Sequence, residues 1–131
     1  MSATAAPSRY RISACIGQHL GDRAEQQDRA GIYTSKRTAG CMLAVVADGM
    51  GGRTGGALAA EQVITTAKSL FEEFNPAEQS VTDLLTEIIR DAHTIIQLTA
   101  ATAEKEPHST IVAMVLQPGQ VNWAHVGDSR L

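Results

Sequence analysis

Hydrophobic positions change their spacing twice along the chain, and the changes divide it into blocks of strand, helix and strand. From Arg9 to Gln18 apolar residues alternate loosely (Tyr10, Ile12, Ala14, Ile16), which predicts a first strand. Gly21 to Arg29 is polar and predicts a loop. A short strand over Ala30 to Thr34 and a turn over Ser35 to Gly40 follow. Cys41 to Ala47 is then apolar throughout, the pattern of a buried central strand. Beyond it the period lengthens to about 3.6 residues. Ala57, Ala60, Val63, Ile64, Ala67, Leu70, Phe71 and Phe74 share one face of a helix over Thr54 to Phe74, which Asn75-Pro76 closes. Leu84, Leu85, Ile88, Ile89, Ala92, Ile95 and Ile96 repeat the pattern from Ser80 to Ala103, and Pro107 marks the next boundary. Ser109 to Gln117 and Gln120 to Val126 read as strands again, joined by the hairpin signal Pro118-Gly119.

Strands and helices in separate blocks, without strict alternation, predict an α+β layered fold. Met1 to Ser8 is small and polar and reads as a disordered leader. The last predicted strand should run on into another element after Leu131, so a truncated fold is expected.

Composition narrows this picture in a few places. At 131 residues the chain is one domain at most, and long enough for a hydrophobic core. Aromatic residues are only 4%, so Ala, Val, Leu and Ile must fill that core. A net charge of -3 with no Lys/Arg cluster argues against a nucleic-acid partner. The two cysteines, Cys15 and Cys41, lie in apolar runs without Cys-x-x-Cys spacing. Both are expected to be buried, reduced thiols, which points to a cytoplasmic setting. The leader has no signal-peptide core, and no stretch approaches the roughly 18 apolar residues of a membrane span.

Candidate chemistry gathers at carboxylates next to glycines. Val45-Val46-Ala47-Asp48-Gly49-Met50-Gly51-Gly52 is an apolar run that delivers one carboxylate and then opens into glycines, where backbone can come close to something. Hard divalent cations prefer such oxygen donors, carboxylate and carbonyl together. A plain Asp-Gly turn closing a strand accounts for the same residues. Arg23 and Asp28 lie in the polar loop, where an arginine fork can hold a phosphate in a bidentate way; a solvated ion pair is the simpler reading. Gly127-Asp128-Ser129-Arg130 also suits an ordinary hairpin exit.

Other chemistries have less support. A Walker loop needs Gly-Lys-Ser/Thr, and Gly49 to Gly56 contains no lysine; a dinucleotide fingerprint needs a glycine where Thr54 stands. His19, His93, His108 and His125 show no paired metal-ligand spacing. Ser109 and Ser129 lack a nucleophile-elbow setting.

In this order, Gly21-x-Arg23-x4-Asp28, Val46-Ala47-Asp48-Gly49-Met50-Gly51-Gly52 with Gly56, Ser109-Thr110 and Gly127-Asp128-Ser129-Arg130 resemble the metal-dependent, type 2C serine/threonine protein phosphatases, with wording like the bacterial branch. The resemblance runs from about Ile12 to Leu131 and covers the N-terminal half of such a domain. It implies an α-β-β-α sandwich of two central antiparallel sheets flanked by helices, with two Mg²⁺ or Mn²⁺ ions, and in many bacterial members a third. Carried over, Asp48 would bridge two metals, the Gly49 carbonyl would ligate one, and Asp128 would serve the accessory third ion. Arg23 would hold the substrate phosphate, and Asp28 would hydrogen-bond metal-bound water. The implied reaction is hydrolysis of phosphoserine and phosphothreonine by a water bridging the metals. The implied partners are phosphoproteins modified by a cognate serine/threonine kinase.

The chain departs from the family pattern at three points. Gln27 stands where a glutamate is frequent, and His108-Ser109-Thr110 replaces Gly-Thr-Thr or Gly-Ser-Thr. The family's later half, which supplies two more ligand aspartates, is not in this sequence. The 131 residues alone are therefore expected to hydrolyse phosphoesters poorly or not at all. The alternative is a non-catalytic, phosphatase-like binding or regulatory domain. Retention of Arg23, Asp28, Asp48 and Asp128 favours the enzyme, because a binding module has no chemical need of all four.

Overall fold

The computed structural model describes residues 10–102 and 106–131. The expected leader, Met1 to Ser8, lies outside the described residues. Elements follow in the order β1 (Asp28–Thr34), β2 (Met42–Met50), α1 (Gly52–Glu73), α2 (Val81–Ala100), β3 (His108–Ser109), β4 (Ile111–Gln117) and β5 (Gln120–Val126). The strands form one antiparallel sheet in the order β1-β2-β4-β5, and short β3 pairs with the end of β2.

Side chains at alternate positions of a strand point to opposite faces, and the sheet uses its two faces differently. Leu43, Val45 and Ala47 of β2, with Ile111, Ala113 and Val115 of β4, are buried under the two helices. Ala60, Val63 and Ala67 of α1 and Leu84 and Ile88 of α2 complete that core. Small alanines at Ala59, Ala60 and Ala67, all fully buried, let α1 lie close to the sheet with few aromatic residues between. Phe71 and Phe74 stack at a centroid distance of 6.3 Å and close the far end. Helix α2 starts where the Ser80 hydroxyl accepts the Asp83 amide at 3.0 Å, which satisfies one of the free first-turn donors.

Among the described residues, the other face of the sheet carries no helix and is partly open, although Met42 and Val112 on it are buried. Val46 is 45% exposed, and Val121 and Trp123 share that face across the strands with 40% and 55% exposed. One packed layer of helices on one face of an antiparallel sheet is therefore half of a layered architecture. The second sheet and second helix layer expected of an α-β-β-α sandwich have no counterpart among the described residues.

The structure corrects five details of the sequence reading. Residues 10–18 form no strand, and Tyr10, Ile12 and Ile16 are exposed; an alternating pattern becomes a strand only where a neighbour takes up its backbone groups. Cys15 is exposed, while Cys41 is buried as expected, and burial pushes its thiol upward in pKa. Strand β1 starts at Asp28, inside the predicted loop, because Asp28 pairs with Asp48. Strand β2 does not stop at Ala47 but continues through Asp48 and Gly49 to Met50, since Gly49 and Met50 pair with Ser109 and His108. The predicted single strand from Ser109 is broken at Thr110 into β3 and β4.

Candidate active site

Register brings the carboxylates together. Asp28 opens β1 and stands directly opposite Asp48 of β2, so both side chains leave the sheet on the same side. That side is the face away from the helices, since Ala47, the preceding residue, is buried in the core between sheet and helices. Asp48 is half-buried and Asp28 is exposed.

Burial holds the Asp48 carboxyl above its usual pKa. A side-chain hydrogen bond with Asp28 and the negative charges of Asp28 and Asp128 push the same way, and the Arg23 guanidinium opposes them. Arg23, Asp28 and Asp128 thus all act on the Asp48 carboxyl. The arrangement brings all four together, although Asp128 and Arg23 lie in exposed loops.

A cleft of about 330 Å³ lies here, lined by Arg23, Gln27, Asp28, Asp48 and Gly49. Larger clefts of about 530 and 560 Å³ lie beside Tyr10 and beside Tyr33 and Lys68. Neither brings two carboxylates together, so size does not locate the chemistry.

Backbone contacts hold the cleft's floor. The Gly49 amide donates to the Gln27 carbonyl at 3.1 Å, tying the Arg23–Asp28 loop to the end of β2. A methyl group on Gly49 would overlap the Gly56 carbonyl of α1 and approach the Gln27 carbonyl to 2.9 Å. The glycine is needed for space, because its strand backbone is open to any residue. The loop itself is braced by the Gln26 side chain, which accepts the Asp28 amide at 3.1 Å, and by Gln18 Nε2, which donates to the Asp28 carbonyl at 2.9 Å.

Oxygen donors of this kind suit a hard divalent cation, which would relieve the repulsion that favours protonation of Asp48. They fit as part of a coordination shell. Among the described residues, no three His, Cys, Asp or Glu groups converge to hold a metal ion.

Thr110 escaped the sequence reading as a site residue. It is 4% exposed, and its hydroxyl accepts the Asp48 amide at 3.1 Å while its own amide donates to the Asp48 carbonyl at 2.9 Å. Its signal in the sequence was the Ser109-Thr110 motif, to which no site role was assigned. His108 is exposed beside Glu106, at 3.7 Å, and His93 and His125 are exposed. His19 accepts the Gly21 amide through Nδ1 at 3.0 Å.

Comparison with known proteins converges on one family. Residues 17–131 match the family model described as protein phosphatase 2C. A Streptococcus pyogenes protein assigned by name to the protein phosphatase 2C type is 31% identical over 118 residues, 88% of this chain and 46% of that protein. The structure of a Streptococcus agalactiae serine/threonine phosphatase is 32% identical with a TM-score of 0.69, covering 88% of this chain and 47% of that one. A Staphylococcus aureus serine/threonine phosphatase is 30% identical with a TM-score of 0.70, covering 87% and 44%. The chain spans about half the length of the relatives it matches.

Proposed function

The chain belongs to the protein phosphatase 2C family, and we propose that the complete domain hydrolyses phosphoserine and phosphothreonine in phosphoproteins with divalent cations. The observation that carries this reading is Asp28 opposite Asp48, beside Arg23, in one cleft at the open face of the sheet.

In this reading the 9–131 segment is the N-terminal half of the domain, and its partly open sheet face takes the second half. Asp48 and the Gly49 carbonyl would hold Mg²⁺ or Mn²⁺, and Asp128 would hold an accessory ion. Such ions, when bound, acidify water into a nucleophile and neutralise charge on the phosphoryl group. Asp28 accepts a hydrogen bond from water entering the cleft and orients it. Arg23, on an exposed loop, grips the phosphate of the substrate with its planar fork. Two adjoining carboxylates are a thin shell for two dications, so the 131 residues alone turn over slowly or not at all. The physiological substrates would be proteins phosphorylated by a cognate kinase.

Arg23 gives the test. Arg23→Ala in the complete domain should raise KM for a phosphothreonine peptide by about 10- to 100-fold, the worth of a charge-assisted pair, with a smaller effect on kcat. Arg23→Lys should recover only part, because an ammonium cannot make the bidentate contact. An unchanged KM in Arg23→Ala would remove Arg23 from phosphate binding.

A further inference from the structure

Asp48 and Asp128 approach one site from different elements, and something must fix their separation. Thr110 stands between them. Its hydroxyl and amide grip both backbone groups of Asp48. The same hydroxyl meets the Ser129 hydroxyl at 2.5 Å, next to Asp128. Its methyl packs on Gly127, whose φ is +100; a Cβ added there would come within 2.7 Å of Thr110 Cγ2. One buried side chain therefore touches the strand that carries Asp48 and both neighbours of Asp128.

We propose that Thr110 is a positioning residue that locks the Asp48 strand to the Gly127–Ser129 turn through its hydroxyl, and so sets the spacing of the two carboxylates for cation binding. The inference rests on the phosphatase reading given above, but it concerns only how this chain's residues are held. Thr110 touches neither substrate nor reacting atoms. A hydroxyl is required because it must accept from the Asp48 N–H and still reach the Ser129 hydroxyl, which valine cannot do and serine can. The break between β3 and β4 has the same cause: at Thr110 the chain bonds to Asp48 with side chain and backbone together. Supporting residues of this kind commonly change metal affinity by about 10- to 100-fold when lost.

The test uses the natural protein at the full length at which its source makes it. Mn²⁺ binding is titrated by calorimetry, exchange of the Asp48 amide is followed by hydrogen–deuterium exchange, and phosphopeptide kinetics are run alongside. Thr110→Val should weaken Mn²⁺ binding by about 10-fold or more and speed exchange of the Asp48 amide, with KM for the peptide nearly unchanged. Thr110→Ser should behave like the parent. Ser129→Ala, which leaves the Asp48 contacts intact, should weaken only the ion that Asp128→Ala also weakens. Mn²⁺ affinity unchanged in Thr110→Val, or lost equally in Thr110→Ser, would overturn the proposal; the latter would make packing of the methyl the cause. Should Thr110→Val fail to fold, Ser129→Ala decides, since an unchanged titration there breaks the proposed link. Loss of activity in Asp48→Ala alongside a normal Thr110→Val would reject this inference alone, whereas full activity in Asp48→Ala would reject the phosphatase reading.

Discussion

Replacing Asp48 by alanine in the complete domain is expected to lower phosphopeptide turnover by about three orders of magnitude or more, with the fold intact. Asp48 is the carboxyl on which the rest of the site converges: Asp28 faces it, and Asp128 and Arg23 act on it by charge. Removing it takes away the carboxylate proposed to hold the cations and leaves Asp28 without its neighbour. Stability should move little or rise when cations are absent. Burial and the surrounding carboxylates disfavour the charged form of Asp48, so its charge costs the fold stability above the ordinary aspartate pKa. The sign follows from the raised pKa: the native state favours the protonated form, and that advantage fades as pH rises. The check pairs initial rates at saturating Mn²⁺ with a denaturant melt in chelator. Turnover within about tenfold of the parent would take Asp48 out of the centre of the site, since a preorganised charge-stabilising group is worth far more.

Gly49→Ala should be about as damaging by a different route. At Gly49 three pieces of chain meet: the end of β2, the first turns of α1 through the Gly56 carbonyl, and the loop carrying Arg23 through the Gln27 carbonyl. All the atoms in the way are backbone and cannot swing aside. A methyl group there must push α1 or the loop outward, costing about 3 kcal/mol or more as overpacking. Displacing the loop also parts Asp28 from Asp48, so activity should fall with stability. Gly119→Ala is the control, because the hairpin turn has open space around it and only its φ of +74 resists a side chain. It should cost about 1 kcal/mol and leave catalysis alone. Equal melting midpoints for Gly49→Ala and the parent would mean that the close approach at Gly49 does not constrain the fold.

Features that depend on local periodicity were legible in the sequence. Both helices appear where the apolar faces placed them, within a few residues, and the Pro118-Gly119 hairpin joins β4 to β5. Features that depend on a partner were not. Residues 10–18 alternate like a strand but join no sheet in the structure, because strand formation needs a neighbouring strand to take up the backbone hydrogen bonds. The continuation of β2 past Asp48 comes from pairing with His108 and Ser109, some 60 residues later. Thr110 shows the same limit at the site: Ser109-Thr110 stood out as a motif, but the bond to the Asp48 amide spans 62 residues and could not be read from it. Asp48, Asp28, Arg23 and Asp128 stood out as motifs, but the direct pairing of Asp28 with Asp48 required the register. Cys15 and Cys41 looked alike in apolar runs, and only the fold separates an exposed thiol from a buried one.

The most direct test of the central claim is phosphate release from a phosphothreonine peptide, measured with Mn²⁺ or Mg²⁺ and again after chelation. It should be run on the natural full-length protein and on these 131 residues in parallel. The account predicts cation-dependent release by the full-length protein, lost on chelation, and slow or no release by the 131 residues. A folded full-length protein that releases no phosphate with either cation, or that keeps its activity in chelator, would contradict it.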